Sequence, residues 1–384
     1  MSTLATKAIG CLAGAAVGDA LGSATEGWSQ EQIRQRYGGS VSGIVPPYAG
    51  GRPDTPAMTR YQKGNGRVTD DTLMTLALVD VYKRVRRHLG AYDVAECLVP
   101  LLMNKVQWIP DMEREDALLQ RLFLAEKWLV TRLHHAHADP REAGAGNIVN
   151  CGAAMYMAPV GIANAADPEG AYAEAVDIAG AHQSSYGREA AGVFAAAVAA
   201  AMAQDATVDD VLNASLAVAH DGTKAAIDAV VDRARGTRGD GVARELRQAM
   251  APFDTVGEDY RQPGLGARRP SRLHSIEELP IALGLLVVAR GDYTTGVIGA
   301  VNYGRDADSI GTMTGALAGA MGGRDSVPAA WREHVARESR IDLDAPGMTM
   351  AEVAAEIFTM DQHRQGAREE AFNRLSAEEV RLRS

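Results

Sequence analysis

The sequence predicts an all-α protein built as one large helical domain, and three observations carry that prediction. Apolar residues recur at helical spacing in many segments, while convincing apolar/polar alternation, the mark of half-buried strands, is absent. Hydrophobic residues make up 46% of the chain but aromatic ones only 5%, so Ala, Val, Leu and Met must fill the core, which favours close-packed helices over a β-sandwich. No Pro- or Ser-rich linker and no internal repeat splits the 384 residues into separate cores.

Each element has its own signal. Ala8, Ile9, Leu12, Ala13, Ala16 and Val17 predict a first helix, with Gly18 or Gly22 ending it or allowing close packing. Lys7 and the apolar run after it imitate a secretion signal, but the run leads straight into Gly18-Asp19-Ala20-Leu21-Gly22 and reads as a buried helix. A long loop rich in Gly and Pro occupies 38–68. Leu73, Leu76, Ala77 and Val79 predict a second helix, closed by Lys83, Arg84, Arg86 and Arg87, whose cations complement the helix dipole. Further helices are expected over 91–109 and 113–134, the second starting near Asp111, and over 171–181 behind the start signal Asp167-Pro168-Glu169. The stretch 188–203, almost pure Ala and Val, predicts a fully buried helix. Helical patterns at 208–219, 225–233 and 242–250 precede a surface loop over 253–275, and helices resume at 276–290, 292–303 and 308–321. The division expected is a domain over 1–349 and a charged helical extension over 350–384.

Composition narrows the function. With 39 basic and 49 acidic residues the chain carries a formal charge of −10, which argues against a nucleic-acid partner and suits a protein that gathers carboxylates around cations. No run of about 18 uncharged apolar residues predicts a membrane span. Cys11, Cys97 and Cys151 form neither a disulfide framework nor a zinc spacing, so a reducing, cytoplasmic location is expected, with Cys11 and Cys151 as inert packing. His134, His135 and His137 read as a solvated helix end, and Arg268, Arg269 and Arg272 as a solvated loop.

Two clusters stand out chemically. Thr69-Asp70-Asp71-Thr72 lies where the Gly-rich loop meets the second helix; alone, it is explained by helix capping. Asn302-Tyr303-Gly304-Arg305-Asp306-Ala307-Asp308-Ser309 repeats the arrangement, a turn with two carboxylates opening a helix rich in Gly and Ala. Short Asp, Thr and Ser oxygens held by backbone at helix starts are what Mg²⁺ or Mn²⁺ require. Four such carboxylates facing one another without a cation would repel by several kcal/mol. Gly311, Gly315, Gly319, Gly322 and Gly323 would let the following helix lie against neighbouring backbone and place the cluster deep in the fold. Asp19 and Glu26 form a third acidic element.

The order of these motifs resembles the ADP-ribosylglycohydrolase family. Gly18-Asp19-Ala20-Leu21-Gly22 with Glu26 comes first, then Thr69-Asp70-Asp71-Thr72, then a Gly/Asn-rich segment ending in Met157-Ala158-Pro159. A segment around His182 follows, and then Gly304-Arg305-Asp306-Ala307-Asp308-Ser309-Ile310-Gly311 ahead of the Gly/Ala helix. The resemblance runs from about Ile9 to Gly323. It implies a single orthogonal all-α domain with a binuclear metal cleft holding two divalent cations, Mg²⁺ first and Mn²⁺ second. It implies Thr69, Asp70, Asp71, Asp306, Asp308 and Ser309 as metal ligands, Ser309 standing where Thr is usual. Glu26 falls at the substrate cleft and Asp19 in a supporting role; the general base is either Glu26 or Asp71. The segment 144–159 matches the family's substrate loop, so Asn150, Gly152 and Tyr156, together with His182, are implied to bind substrate. Two departures concern the substrate: Tyr156 stands where many members have Arg, and His182 lacks the usual Thr before it and Pro after it. The activity implied is metal-dependent hydrolysis of the glycosidic bond between ADP-ribose and a protein side chain or other acceptor. A ribosylated small molecule on the same centre is the alternative, and a non-catalytic ADP-ribose-binding relative a weaker one.

Overall fold

The computed structural model describes residues 1–49, 61–254 and 276–382, with side chains through residue 376. Most of the loop expected over 253–275, with Arg268, Arg269 and Arg272, lies outside the described residues, as does the middle of the 38–68 loop.

Helix α1 (Thr3–Gly22) starts where the Ser2 hydroxyl accepts from the Ala5 amide at 3.3 Å. By length and composition it is apolar enough to cross a bilayer, yet every residue from Lys7 to Gly22 is buried within the protein. Helix α2 (Gln30–Tyr37) opens on a Ser29/Gln32 capping box. Helix α3 (Asp70–Val85) is capped by Thr69 and ends on Arg86, in the left-handed region at φ 55°.

The expected helix at 91–109 stops short. Helices α4 (Ala91–Asp93) and α5 (Val99–Asn104) flank a wide helical turn, and the chain then forms an antiparallel hairpin of β3 (Val106–Ile109) and β4 (Arg114–Ala117). A second pair, β1 (Tyr48–Ala49) with β2 (Gln62–Lys63), spans the loop before α3. The hairpin has a local cause: Val106, Trp108 and Ile109 favour extended backbone, Pro110 has no amide to continue a helix, and Glu113 turns at φ 52°. The helix expected from 113 therefore begins later, as α6 (Leu118–Arg121) and α7 (Leu124–Leu129).

From there α8 (Ala158–Ala163), α9 (Pro168–Gly180), α10 (Ser185–Ala201), α11 (Val208–Val218), α12 (Asp221–Gly236) and α13 (Val242–Met250) follow in order. Asp167 caps α9 as its sequence suggests, and α10 is buried along nearly its whole length. After the 255–275 stretch come α14 (Glu278–Ala289), α15 (Tyr293–Tyr303), α16 (Ala307–Gly322), α17 (Ala329–Ser339) and α18 (Ala345–Leu382). The boundary expected at 349/350 falls inside α18, whose Met350, Val353, Ala354 and Ile357 are core residues.

The centre of the fold is the antiparallel pair α1/α16. Gly10, Gly14, Gly18 and Gly22 face Gly319, Gly315, Gly311 and Ala307, and a Cβ on any of these glycines would overlap a carbonyl of the partner helix. The two backbones thus lie in direct contact. Helix α15 packs on α16, α10 is surrounded by α8, α9 and α11, and α18 lies across α1, α3 and α8. The seam brings the C-terminal end of α1 beside the N-terminus of α16, and the candidate site forms there.

Candidate functional site

Three chain segments converge at the end of the α1/α16 seam. Asp19, on the last turns of α1 and fully buried, accepts from the Thr69 amide at 2.9 Å, the Thr72 amide at 3.2 Å and the Thr72 hydroxyl. It anchors the N-terminus of α3, which matches its expected supporting role. Burial pushes its carboxyl up to about 6 against the pull of these hydrogen bonds. The anchored turn presents Asp70 and Asp71, while the first turn of α16 presents Asp306, Asp308 and Ser309. Both helix N-termini thus carry carboxylates at their positive ends.

The two acid clusters face one another. Asp71 bonds the Ser309 hydroxyl, and burial, followed by the charges of Asp19, Asp70 and Asp306, holds its carboxyl well above the usual range. Asp308 is displaced the same way by burial and by Glu26, Asp306 and Asp71. Asp71 Oδ2 and Asp308 Oδ1 are buried with no hydrogen-bond partner. Orphaned oxygens among like charges are a costly arrangement in a protein alone, and the short-oxygen donor set suits divalent cations. On the outer side Asp70 meets Arg121 at 3.1 Å; this guanidinium also holds Asp111 at 2.6 Å and lies over the Tyr61 ring at 4.4 Å.

A correction concerns Cys151. Expected as inert packing, its thiol lies 3.1 Å from Asp306 Oδ2 and 3.4 Å from the Ser309 hydroxyl. Sulfur and oxygen atoms of Cys151, Glu278 and Asp306 fall within 4.8 Å of one another. Burial, then Asp306 and Glu278, raises the thiol well above its ordinary value; burial, then Asp306, does the same to Glu278.

Glu26 is placed by backbone. The Gly27 amide donates to the Arg305 carbonyl at 2.5 Å, and the Arg305 amide to the Trp28 carbonyl at 2.9 Å, which clips the 26–28 turn to the 304–306 turn. Gly304, at φ 74°, permits this: a Cβ there would overlap the Trp28 carbonyl. Glu26 pairs with Lys63 and lines a broad cleft with Trp28, Tyr48, Arg247 and Arg305. Arg305 is fixed by Glu277 at 2.8 Å and Asp254 at 3.0 Å.

The 144–159 segment reaches the cluster through Cys151. Asn150 accepts from the Gly152 amide at 3.0 Å and from the Gln183 side chain, which also bonds the Ile148 carbonyl at 2.9 Å. Tyr156 and His182 are both completely buried, stacked with centroids 5.8 Å apart. The Tyr156 hydroxyl donates to His182 Nδ1 at 3.1 Å, and Nε2–H donates to the Ala125 carbonyl at 3.1 Å. Burial pushes the imidazole down to about 4, so it is neutral, with its proton on Nε2. This pair offers no surface to a ligand and supports the loop from behind. Glu126, 1% exposed, lies against Gly152, where a Cβ would require its carboxylate to shift, and burial, followed by the charge of Asp70, pushes its carboxyl up to about 8.

Comparison with known proteins adds the decisive observation: the family model for ADP-ribosylglycohydrolase matches residues 1–367. The chain belongs to the ADP-ribosylglycohydrolase family. It is also similar to the uncharacterized protein YegU of Escherichia coli (strain K12), at 22% identity over 349 residues, covering 90% of this chain and 96% of that protein. Among solved structures it is similar to an ADP-ribosylglycohydrolase-related protein complex, with a TM-score of 0.57 and 22% identity over 92% of this chain and 100% of the other, a likeness that concerns the fold.

Within this ADP-ribosylglycohydrolase architecture, Asp70, Asp71, Asp306, Asp308, Ser309 and Glu26 are close enough to act on one another's carboxyls; Thr69 caps α3 beside them, and Asn150 and Gly152 lie on the loop that carries Cys151. Tyr156 and His182 stand apart, in the core behind that loop. Four partners escaped sequence reasoning. Glu278 follows Glu277 ahead of a wholly apolar helix, a visible signal that capping explains equally well. Lys63, Arg121 and Glu126 are isolated charges whose relevance comes only from contacts across the fold.

Proposed function

We propose that the protein is a divalent-metal-dependent hydrolase that cleaves the glycosidic bond between ADP-ribose and an acceptor. The observation that carries this reading is the pair of opposed helix N-termini, whose buried carboxylates Asp71 and Asp308 each leave an oxygen without a partner beside the Glu26 cleft. Thr69, Asp70, Asp71, Asp306, Asp308 and Ser309 would hold two cations, Mg²⁺ or Mn²⁺ by their oxygen chemistry. When bound, such cations supply Lewis acidity and a template for ribose hydroxyls.

The chain's own groups divide the remaining work. Departure from a ribose C1″ passes through an oxocarbenium-like state, which needs negative potential below the sugar and a water on one face. The carboxylate cluster provides that potential. Of the two candidate bases, Asp71 is sealed beneath the cluster, whereas Glu26 lines the cleft. Glu26 therefore takes the proton of the attacking water, and that proton is passed to the leaving nitrogen or oxygen as the C1″ bond breaks, so that the carboxylate is regenerated. The Gly152 amide is engaged by Asn150 at 3.0 Å and the Ala153 amide by Gln183 at 3.3 Å, so these two donors are not open to a diphosphate as the loop stands.

A second reading, a ribosylated small molecule as substrate, is favoured by one observation. Tyr156, where the family often places an anion-binding Arg, is spent on His182 in the core. The three free cysteines support a reducing, cytoplasmic location. The test is release of ADP-ribose from arginine- and serine-modified proteins with Mg²⁺, Mn²⁺ or chelator. Metal-dependent release supports the first reading. No release, from protein that binds both cations, transfers the proposal to ribosylated small molecules.

A further inference from the structure

We propose that Cys151 is a thiolate ligand on the Asp306 side of the centre, assisted by Glu278, and that it makes this position selective for thiophilic cations such as Zn²⁺, Co²⁺ and Cd²⁺. The inference rests on the reading of Asp306 and Ser309 as metal ligands. Its geometry shares Asp306 with the all-oxygen set that the resemblance implies and adds Cys151 and Glu278 to it.

Atoms bound to one ion at about 2.0–2.3 Å lie within about 4.6 Å of each other. The ligand atoms of Cys151, Glu278 and Asp306 already lie within 4.8 Å, so small adjustments close them on a shared cation. The thiol is 3.1 Å from Asp306 and 3.4 Å from Ser309, so it points at two ligands of the same cluster. Ser309 in turn bonds Asp71, whose Oδ2 is buried and unpartnered. The Asp71 carboxyl and the sulfur therefore flank the same hydroxyl. An inert packing cysteine has apolar neighbours; this one has three polar groups able to bind metal.

The chemistry follows from donor softness. Carboxylates and hydroxyls suit Mg²⁺ and Mn²⁺, whereas one thiolate shifts a mixed site toward Zn²⁺ and its heavier analogues. On binding, the thiol proton now directed at Asp306 passes to solvent, and the sulfur electron pair it leaves forms the bond to the cation. Glu278 adds a carboxylate oxygen to the same position, and no oxidant or reductant is involved. Asp306, relieved of the thiol proton, would have that oxygen available to hold a cation.

The probe is Cd²⁺ alone, added to the metal-free full-length protein in a Cys97→Ser background, which removes the partly exposed thiol from the readout. The expected result is an ultraviolet thiolate-to-Cd²⁺ charge-transfer band that saturates with one equivalent and disappears in Cys151→Ser. Cys151→Ser should weaken Cd²⁺ binding by at least about tenfold, the scale seen even for partners outside the first shell, while calorimetric Mn²⁺ binding persists. Retained Mn²⁺ binding also shows that the variant is folded. A band that survives Cys151→Ser, or Cd²⁺ binding with no band, overturns the inference and leaves the hydrolase reading standing. Failure to bind any divalent cation overturns both.

Discussion

Asp19 and Asp308 are both buried aspartates with one unpartnered oxygen and a carboxyl held above the usual range, but the second oxygen of Asp19 is tied to the start of α3. Asp19 receives two amides and a hydroxyl, so Asp19→Ala strands buried donors at the start of α3 and should cost about 1–3 kcal/mol, read as a lower urea midpoint. Asp308 keeps one oxygen orphaned among Glu26, Asp306 and Asp71. Asp308→Ala should leave the metal-free protein as stable as before or more so, while lowering kcat/KM by about 10³, roughly 4 kcal/mol of transition-state stabilisation. Loss of stability without loss of turnover in Asp308→Ala would contradict its place as a ligand. The sign of the pH effect follows from the same positions. Acids held above their unfolded values, such as Asp71 and Asp308, favour the fold where they are protonated, so their contribution falls as pH rises from the unfolded carboxylate range toward neutrality. Saturating Mn²⁺ should reverse that trend, and thermal melts at pH 5 and pH 7 with and without the ion would show it. These aspartates were legible in the sequence because each lies at a helix start within a short motif. Cys151 and Glu278 were not, since their meaning depends on contacts with residues more than a hundred positions away or with no motif of their own.

The α1/α16 seam sets the distance between the acid clusters, and it is made of absent side chains. Gly315→Ala drives a methyl group into the Gly14 carbonyl, a backbone atom that has nowhere to go, and should cost about 2–4 kcal/mol and reduce metal affinity as the helices separate. Gly366, also helical but with open space around it, supplies the control: Gly366→Ala should stabilise by about 0.5–1 kcal/mol through helix propensity alone. Equal effects at the two positions in urea denaturation would remove the seam from the account. At this scale the sequence was readable wherever period and punctuation agreed: the glycine spacing, the Asp167-Pro168 start and the buried Ala/Val helix all took the expected form. It misled at 106–117, where a strand of four residues is too short to establish alternation. There the identities of Val106, Trp108 and Pro110 outweighed the helical pattern on either side.

Across the whole molecule, the long helix α18 is tied to the end of α3 by the Arg86–Glu356 ion pair, and to the α9 layer by an imidazole. Its first turns are core, with Met350, Val353, Ala354 and Ile357 buried, and beyond them the helix is exposed. His88 lies at that transition, with Nδ1 2.5 Å from Glu174 and Nε2 2.9 Å from Asp361 on α18. Glu174 is itself held by Tyr82, the Leu89 amide and Asn164, which keep it in place as an acceptor. The hydrogen bond to Glu174, opposed by partial burial and assisted by the Glu174 and Asp361 charges, pushes His88 up to about 9 from an ordinary 6.5. A base whose folded value is raised stabilises the fold fully below the unfolded value and loses that contribution as pH climbs through the folded one. The fold should therefore weaken between pH 6.5 and 9, by about 2 kcal/mol once the screening of a partly exposed group is allowed for. His88→Gln can still bond one acid but carries no charge, so its urea midpoint should lie lower at pH 6.5 and run flat to pH 9. A slope identical in wild type and His88→Gln would show that His88 is a bystander, leaving α18 held by its apolar turns and the Arg86–Glu356 pair.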